Sequence, residues 1–338
     1  MRWTLKTAPN LSLVDELSEV LSIDKVLSSL LIQRGIHTFE QAKKFFRPSL
    51  DDLHDPFLLK DMDIAVSRIE KAIANNENIL IYGDYDVDGT TAVSLVSSYL
   101  KTITNHIATY IPDRYDEGYG ISTQGIDFAA DHNFSLIIAL DCGIKAIDKV
   151  KYASQKNIDF IICDHHKPGD KLPKAVAVLN AKREDCSYPF DELCGCGVGF
   201  KLIQALASKR GQTLEDLTQY LDLVATAIAA DIVPITGENR ILTYFGLQVI
   251  NSNPRNGIKA IIQGVKKNIL TITDVVFIIA PRINAAGRMK HGNYAVELLT
   301  EMDYETAIRF AASIEKFNIE RKELDKKITY EALQQIEA

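Results

Sequence analysis

Between residues 78 and 180 the chain alternates short, almost wholly apolar runs with amphipathic stretches of helical length, and no other feature restricts its fold as much. Residues 79–82, 106–111, 135–140, 158–163 and 175–179 read as strands, and 90–100, 122–132 (with Ser122 as its cap) and 145–156 read as helices. Apolar strands separated by helices imply βαβ units and a mainly parallel sheet flanked by helices, an α/β fold. Such sheets bind ligands beyond the carboxyl ends of their strands. Three acid-bearing turns stand at such ends: Asp84 after Tyr82-Gly83, Asp141 after Leu140, and Asp164 after Cys163.

Around this core, 76–235, the pattern is helical. Residues 1–75 form a helical N-terminal segment, and 236–312 continue the core as a mostly helical second part. Residues 313–338 are charged, with Ile314, Phe317, Leu324 and Ile328 near heptad spacing, and they meet the chain end without a glycine or other breaker. That predicts a long linker helix leading to a second domain outside this chain.

Composition excludes little but is consistent. Hydrophobic residues make up 46% and charged residues 25%, ordinary for a globular protein. No apolar run approaches the roughly 20 residues that span a bilayer. Met1-Arg2-Trp3-Thr4-Leu5-Lys6 leads into polar residues rather than an apolar signal core. Five cysteines, an odd number in a chain this long, fit reduced thiols and a cytoplasmic location. Cys194 and Cys196 form a lone C-x-C without the second pair of a structural zinc site, so they read as small packing residues. The net charge of −7 argues weakly against nucleic-acid binding, but bound cations would offset an acidic metal site.

The chemistry concentrates in four places. Gly83-Asp84-Tyr85-Asp86-Val87-Asp88-Gly89 sets three carboxylates at alternate positions, which repel unless a cation is present. A calcium loop of the D-x-D-x-D-G kind needs a glutamate at its twelfth position, and Leu95 stands there. Asp141-Cys142-Gly143 can equally hold a metal or cap the turn after its strand. In Asp164-His165-His166, adjacent histidines point apart, so one can ligate a metal and the other donate to a phosphate oxygen. Asp231, within Ala229-Ala230-Asp231-Ile232-Val233-Pro234, is costly to bury unless paired or bound to a cation.

Together these segments resemble the four ordered motifs of the DHH phosphoesterase superfamily. Three more resemble its single-strand-specific exonuclease branch: Ile111-Pro112-Asp113-Arg114 with Glu117-Gly118-Tyr119-Gly120, the run from Leu193 to Lys201, and Pro281 to Met289. The resemblance implies that Asp86, Asp141, His165 and Asp231 hold one divalent ion, and that Asp84 with a bridging Asp141 serves a second. The ions implied are Mn2+ or Mg2+, one or two per site. Tyr82 stands where some relatives place a histidine ligand. Asp88 and Asp164 would orient the ligands, His166 would stabilise phosphoryl charge, and Arg114, Arg282, Asn284 and Arg288 would hold phosphates.

The implied activity is 5′-to-3′ hydrolysis of single-stranded DNA in repair and recombination, alongside single-strand-binding protein and a helicase. Two divalent ions roughly 3.5–4 Å apart would lower the pKa of a water and stabilise the attacking and leaving oxygens. A small-molecule phosphoesterase acting on pyrophosphate, cyclic dinucleotides or short oligonucleotides is the alternative. A non-catalytic replication scaffold is a second alternative, which the complete ligand set disfavours.

Overall fold

The computed structural model describes residues 4–337. Met1, Arg2, Trp3 and Ala338, on which the leader and chain-end readings partly rest, lie outside the described residues. The chain divides into two compact units, 1–53 and 54–338. In the first, α1 (Leu11–Leu21), α2 (Lys25–Ile32) and α3 (Phe39–Phe46) enclose a small core of Val14, Leu17, Leu31, Ile32, Ile36 and Ala42. Each helix starts on a side chain that accepts a backbone N–H: Asn10, Asp24 and Thr38.

The second unit opens with α4 (Met62–Ala74) and then winds strands and helices in turn. They are β1 (Asn78–Gly83), α5 (Val87–Leu100), β2 (Ile107–Tyr110), α6 (Thr123–Asp131), β3 (Phe134–Leu140), α7 (Ile147–Gln155), β4 (Asp159–Cys163) and β5 (Ala177–Leu179). All pairings are parallel, in the order β2-β1-β3-β4-β5. One face of the sheet, carrying Leu80, Tyr82, Ile137, Ala139, Phe160 and Ile162, packs with Ile126 and Ala129 of α6 and Val150 and Ala153 of α7. Helix α5 and the later α8 (Gly195–Lys209) lie against the sheet and each other. Helix α5 begins inside the acidic turn, three residues earlier than its apolar pattern, because Asp86 caps it by accepting from Gly89 N–H at 3.0 Å.

The remaining helices are α9 (Leu214–Leu217), α10 (Leu221–Asp231), α11 (Gly237–Ser252), α12 (Asn256–Ile262), α13 (Ile272–Asp274), α14 (Ala280–Met289), α15 (Asn293–Thr300) and α16 (Tyr304–Glu337). A π-helical turn, Val275–Ile279, precedes α14. Helix α16 begins nine residues before the heptad pattern does, where Asp303 accepts from Thr306 N–H at 2.8 Å. Among the described residues no helix is long and apolar enough to cross a membrane.

Register positions the site. Gly83 of β1 pairs with Leu140 of β3, Leu140 with Cys163 of β4, and Cys163 with Leu179 of β5. The next residue on each strand is therefore Asp84, Asp141, Asp164 and Asn180, four polar side chains in one row. The ladder continues through them, with Asp141 N–H to Cys163 O at 2.8 Å and Asp164 N–H to Leu179 O at 3.1 Å. After β1 the chain crosses to β2 on one side, whereas β3 lies on the other, so a crevice opens between the ends of β1 and β3.

Candidate metal centre

The three carboxylates of the first acidic turn diverge. Asp84 accepts from Gly120 N–H at 3.2 Å through Oδ1, while its buried Oδ2 has no partner. Asp86 caps α5. Asp88, buried, reaches under the turn to the start of α8 and accepts Gly195 N–H at 2.6 Å and Cys196 N–H at 2.7 Å. A side chain at Gly195 has no room, since its Cβ would lie 2.5 Å from Asp141 Cβ. That close approach lets the first turn of α8 floor the site.

His165 is the hub. Its Nε2 lies 3.2 Å from Asp141 Oδ1, 3.6 Å from Asp231 Oδ2 and 3.8 Å from Asp88 Oδ2. Among the described residues two sets of ligand atoms are close enough to share an ion: Asp141 with His165 and His166, and Asp88 with His165 and Asp231. Neither set contains a cysteine. Asp141 Oδ1 and both ring nitrogens of His165 are buried without hydrogen-bond partners. Burial pushes the Asp84 carboxyl to about 7 and Asp231 to about 6, in both cases with the Asp86 charge adding to it. Burial and the neighbouring aspartates raise Asp88 and Asp141 as well, and burial with the neighbouring His166 lowers His165. A neutral imidazole, crowded carboxylates and unpartnered buried oxygens make a donor set that fits a divalent ion.

His166 differs from its neighbour. Its Nδ1 donates to Asp164 Oδ1 at 2.7 Å, and Asp164 also accepts from Ile144 and His166 N–H. The hydrogen bond to Asp164 raises His166, while Asp164 stays low despite its burial because His166 pairs with it. Asn180 fixes the same dipeptide by donating to His166 O at 2.8 Å. No motif marked Asn180, although its place at the end of β5 is the same signal that marked the aspartates.

A cleft of about 650 Å3 opens over these groups, lined in part by Asp84, Asp86, Asp88, Asp231, Arg114, Tyr119, Asn284, Arg288 and Arg321. Arg114 lies over the Tyr85 ring, 5.1 Å from its centroid. Arg282 is not brought to the cleft. Its Nε pairs with Glu315 Oε2 at 2.5 Å and its Nη1 donates to Ile278 O, so it ties α14 to α16. The reason is helical periodicity: Pro281, Asn284 and Arg288, spaced i, i+3, i+7, line the cleft, and Arg282 faces elsewhere. Arg321, on α16, carries no local sequence signal; no motif surrounds it, and only the packing of α16 against α14 places it. Tyr82 is turned away from the ligands. Its buried hydroxyl donates to Gly120 O at 2.9 Å and accepts from Ser122 N–H, anchoring the loop whose Gly120 N–H holds Asp84.

Residues 78–228 match the DHH family, N-terminal domain. Over its full length it is similar to the single-stranded-DNA-specific exonuclease RecJ of Bacillus subtilis strain 168, at 40% identity across 42% of that protein. The Escherichia coli K12 RecJ is 31% identical over 95% of this chain and 57% of its own length. The solved structure of Thermus thermophilus RecJ in complex with Mn2+ superposes on 99% of this chain and 48% of that one, with a TM-score of 0.85 and 26% identity. An exonuclease RecJ bound to manganese covers 85% of this chain and 72% of that one, at a TM-score of 0.77 and 28% identity. The chain spans about half the length of the curated relatives it matches.

Proposed function

We propose that this chain carries the catalytic site of a metal-dependent phosphodiesterase that degrades single-stranded DNA from the 5′ end in repair and recombination. One observation carries the reading: the buried, unpartnered ligand atoms of Asp141 and His165 meet beside Asp231, and the unpartnered Asp84 Oδ2 stands at the neighbouring strand end across the crevice between β1 and β3. Asp86, Asp141, His165 and Asp231 would hold one Mn2+ or Mg2+, and Asp84 with Asp141 a second. Asp88 would orient the turn from below. Such ions supply Lewis acidity and lower the pKa of a coordinated water.

The chain's own side chains do the rest. Asp164 holds His166 Nδ1–H, so Nε2, beside the cleft-lining Tyr119, is left to donate to a phosphoryl oxygen as its charge grows. Arg114, Arg288 and Asn284 would grip phosphates along the strand. Water oxygen bonds to phosphorus as the bond to the leaving nucleotide oxygen breaks. The five free cysteines support a cytoplasmic setting, where single-strand-binding protein and a helicase would be its partners.

The test is digestion of end-labelled single strands with manganese, with pyrophosphate and cyclic dinucleotides as competitors. Release of mononucleotides from the 5′ end supports the reading. Preferential cleavage of a competitor would assign the same site to a small-molecule phosphoesterase instead.

A further inference from the structure

Tyr119 occupies the cleft without a part in the reading above. It sits at the tip of a tightly anchored loop. On one side Glu117 accepts from Tyr110 Oη, Asp113 N–H and Ser122 Oγ at 2.9, 2.8 and 2.5 Å. On the other, Gly120 donates to Asp84 and accepts from Tyr82. The flanking Gly118 and Gly120 have φ of +84° and +79°, left-handed values that let the chain reverse on both sides of the ring and project it. The Tyr119 ring stands edge-on to Tyr85 and to His166, and its Oη lies 3.4 Å from His166 Nε2. Nδ1 of that imidazole is committed to Asp164, so Nε2 is the ring nitrogen that meets the phenol.

We infer that Tyr119 is a second hydrogen-bond donor to the phosphoryl oxygen that His166 binds, so that the two form a paired anion clamp. Two donors 3.4 Å apart can both reach one oxygen at about 2.8 Å, the usual length of a charge-assisted bond. Without an anion they contact each other. When a phosphoryl oxygen enters, the phenol O–H and the imidazolium N–H both turn to it. The anchoring at Glu117 and Gly120 holds the phenol at that point beforehand, the arrangement that makes such donors effective as charge develops.

The inference rests on the phosphodiesterase reading, and the experiment separates the two. Inorganic phosphate is titrated calorimetrically into the magnesium-loaded chain, as wild type, Tyr119→Phe, His166→Ala and the double variant. Phenylalanine keeps the ring, so folding is expected to be unchanged. Tyr119→Phe should weaken phosphate binding about tenfold, as loss of a bond to a charged acceptor does. The double variant should lose less than the product of the single losses, because the donors share one oxygen. Wild-type affinity in Tyr119→Phe, with binding weakened in His166→Ala, overturns the clamp and leaves the phosphodiesterase reading standing. Strictly multiplicative losses place the donors on different oxygens and overturn it too. No phosphate binding by the wild type, or none lost in either variant, overturns both.

Discussion

Asp141 has a left-handed backbone, φ +58°, at the end of β3, and its carboxylate lies 3.2 Å from His165 Nε2. Asparagine tolerates that backbone where alanine does not. Asp141→Asn should therefore keep the melting temperature within a few degrees while divalent-ion affinity falls by more than about a hundredfold; calorimetry and thermal melting check both. Ile232, next to Asp231, is the less expected case: a β-branched residue at φ +59° and 88% exposed. Its side chain buries little to offset a cost of roughly 1–2 kcal/mol for the left-handed conformation. Ile232→Asn should stabilise by about 1 kcal/mol in urea titration, and an unchanged midpoint would refute the strain. Protonation acts on the same cluster. Asp84 and Asp231 are raised to about 7 and about 6 from an ordinary 3.8, so the folded state holds protons that the unfolded chain has released. Metal-free protein should then lose stability as pH rises from about 4 to about 7. Added manganese should restore more of it at the upper end, as thermal melts at about pH 5 and about pH 7.5 with and without the ion would register.

Elements converge on the site by two routes, and only one is written locally. Asp84, Asp141 and Asp164 were legible because each ends an apolar run, and parallel strands in register bring such ends together. Asp231 was legible as an acid too apolar in its surroundings to stand alone. The face to which Tyr82 turns was not, since it depends on which side of the sheet receives α6 and α7. Arg282 and Arg288 look equivalent in sequence, and only a helix across both separates them. Arg321 lies beyond any local signal because the crossing of α14 and α16 places it. The approach of α14 to the acidic turn is close enough to test: a Cβ at Gly287 would collide with Tyr85 O. Gly287→Ala should destabilise by about 1–3 kcal/mol despite alanine's better helix propensity, because the helix must retreat from the turn. A gain in denaturation midpoint would show that this contact is loose.

At the scale of the whole second unit, 54–338, one buried ion pair joins segments far apart in the chain. Lys201 Nζ, fully buried on α8, lies 2.6 Å from Glu238 Oε1 at the start of α11 and donates to His54 O at 3.0 Å. Glu238 also accepts from His54 N–H at 2.9 Å and from Tyr188 Oη at 2.6 Å. The two helices it clamps are those whose beginnings matter to the site. Helix α8 starts on Asp88, and α11 follows the turn that leaves Asp231. Burial lowers the Lys201 ammonium while Glu238 works against that, so the charge survives only as part of the pair. Removing one partner leaves the other uncompensated, so Lys201→Met should cost about 3–5 kcal/mol. Adding Glu238→Gln removes the stranded charge, keeps one oxygen to accept from His54 N–H and turns an NH2 donor toward the Tyr188 hydroxyl, so the double variant should be more stable than Lys201→Met alone. Manganese affinity should follow the same order, because slack between α8 and α11 separates Asp88 from Asp231. Urea titrations paired with manganese calorimetry across wild type, the two single variants and the double variant decide it. A Lys201→Met cost below about 1 kcal/mol, or metal affinity indifferent to both changes, would mean that the clamp and the site are independent.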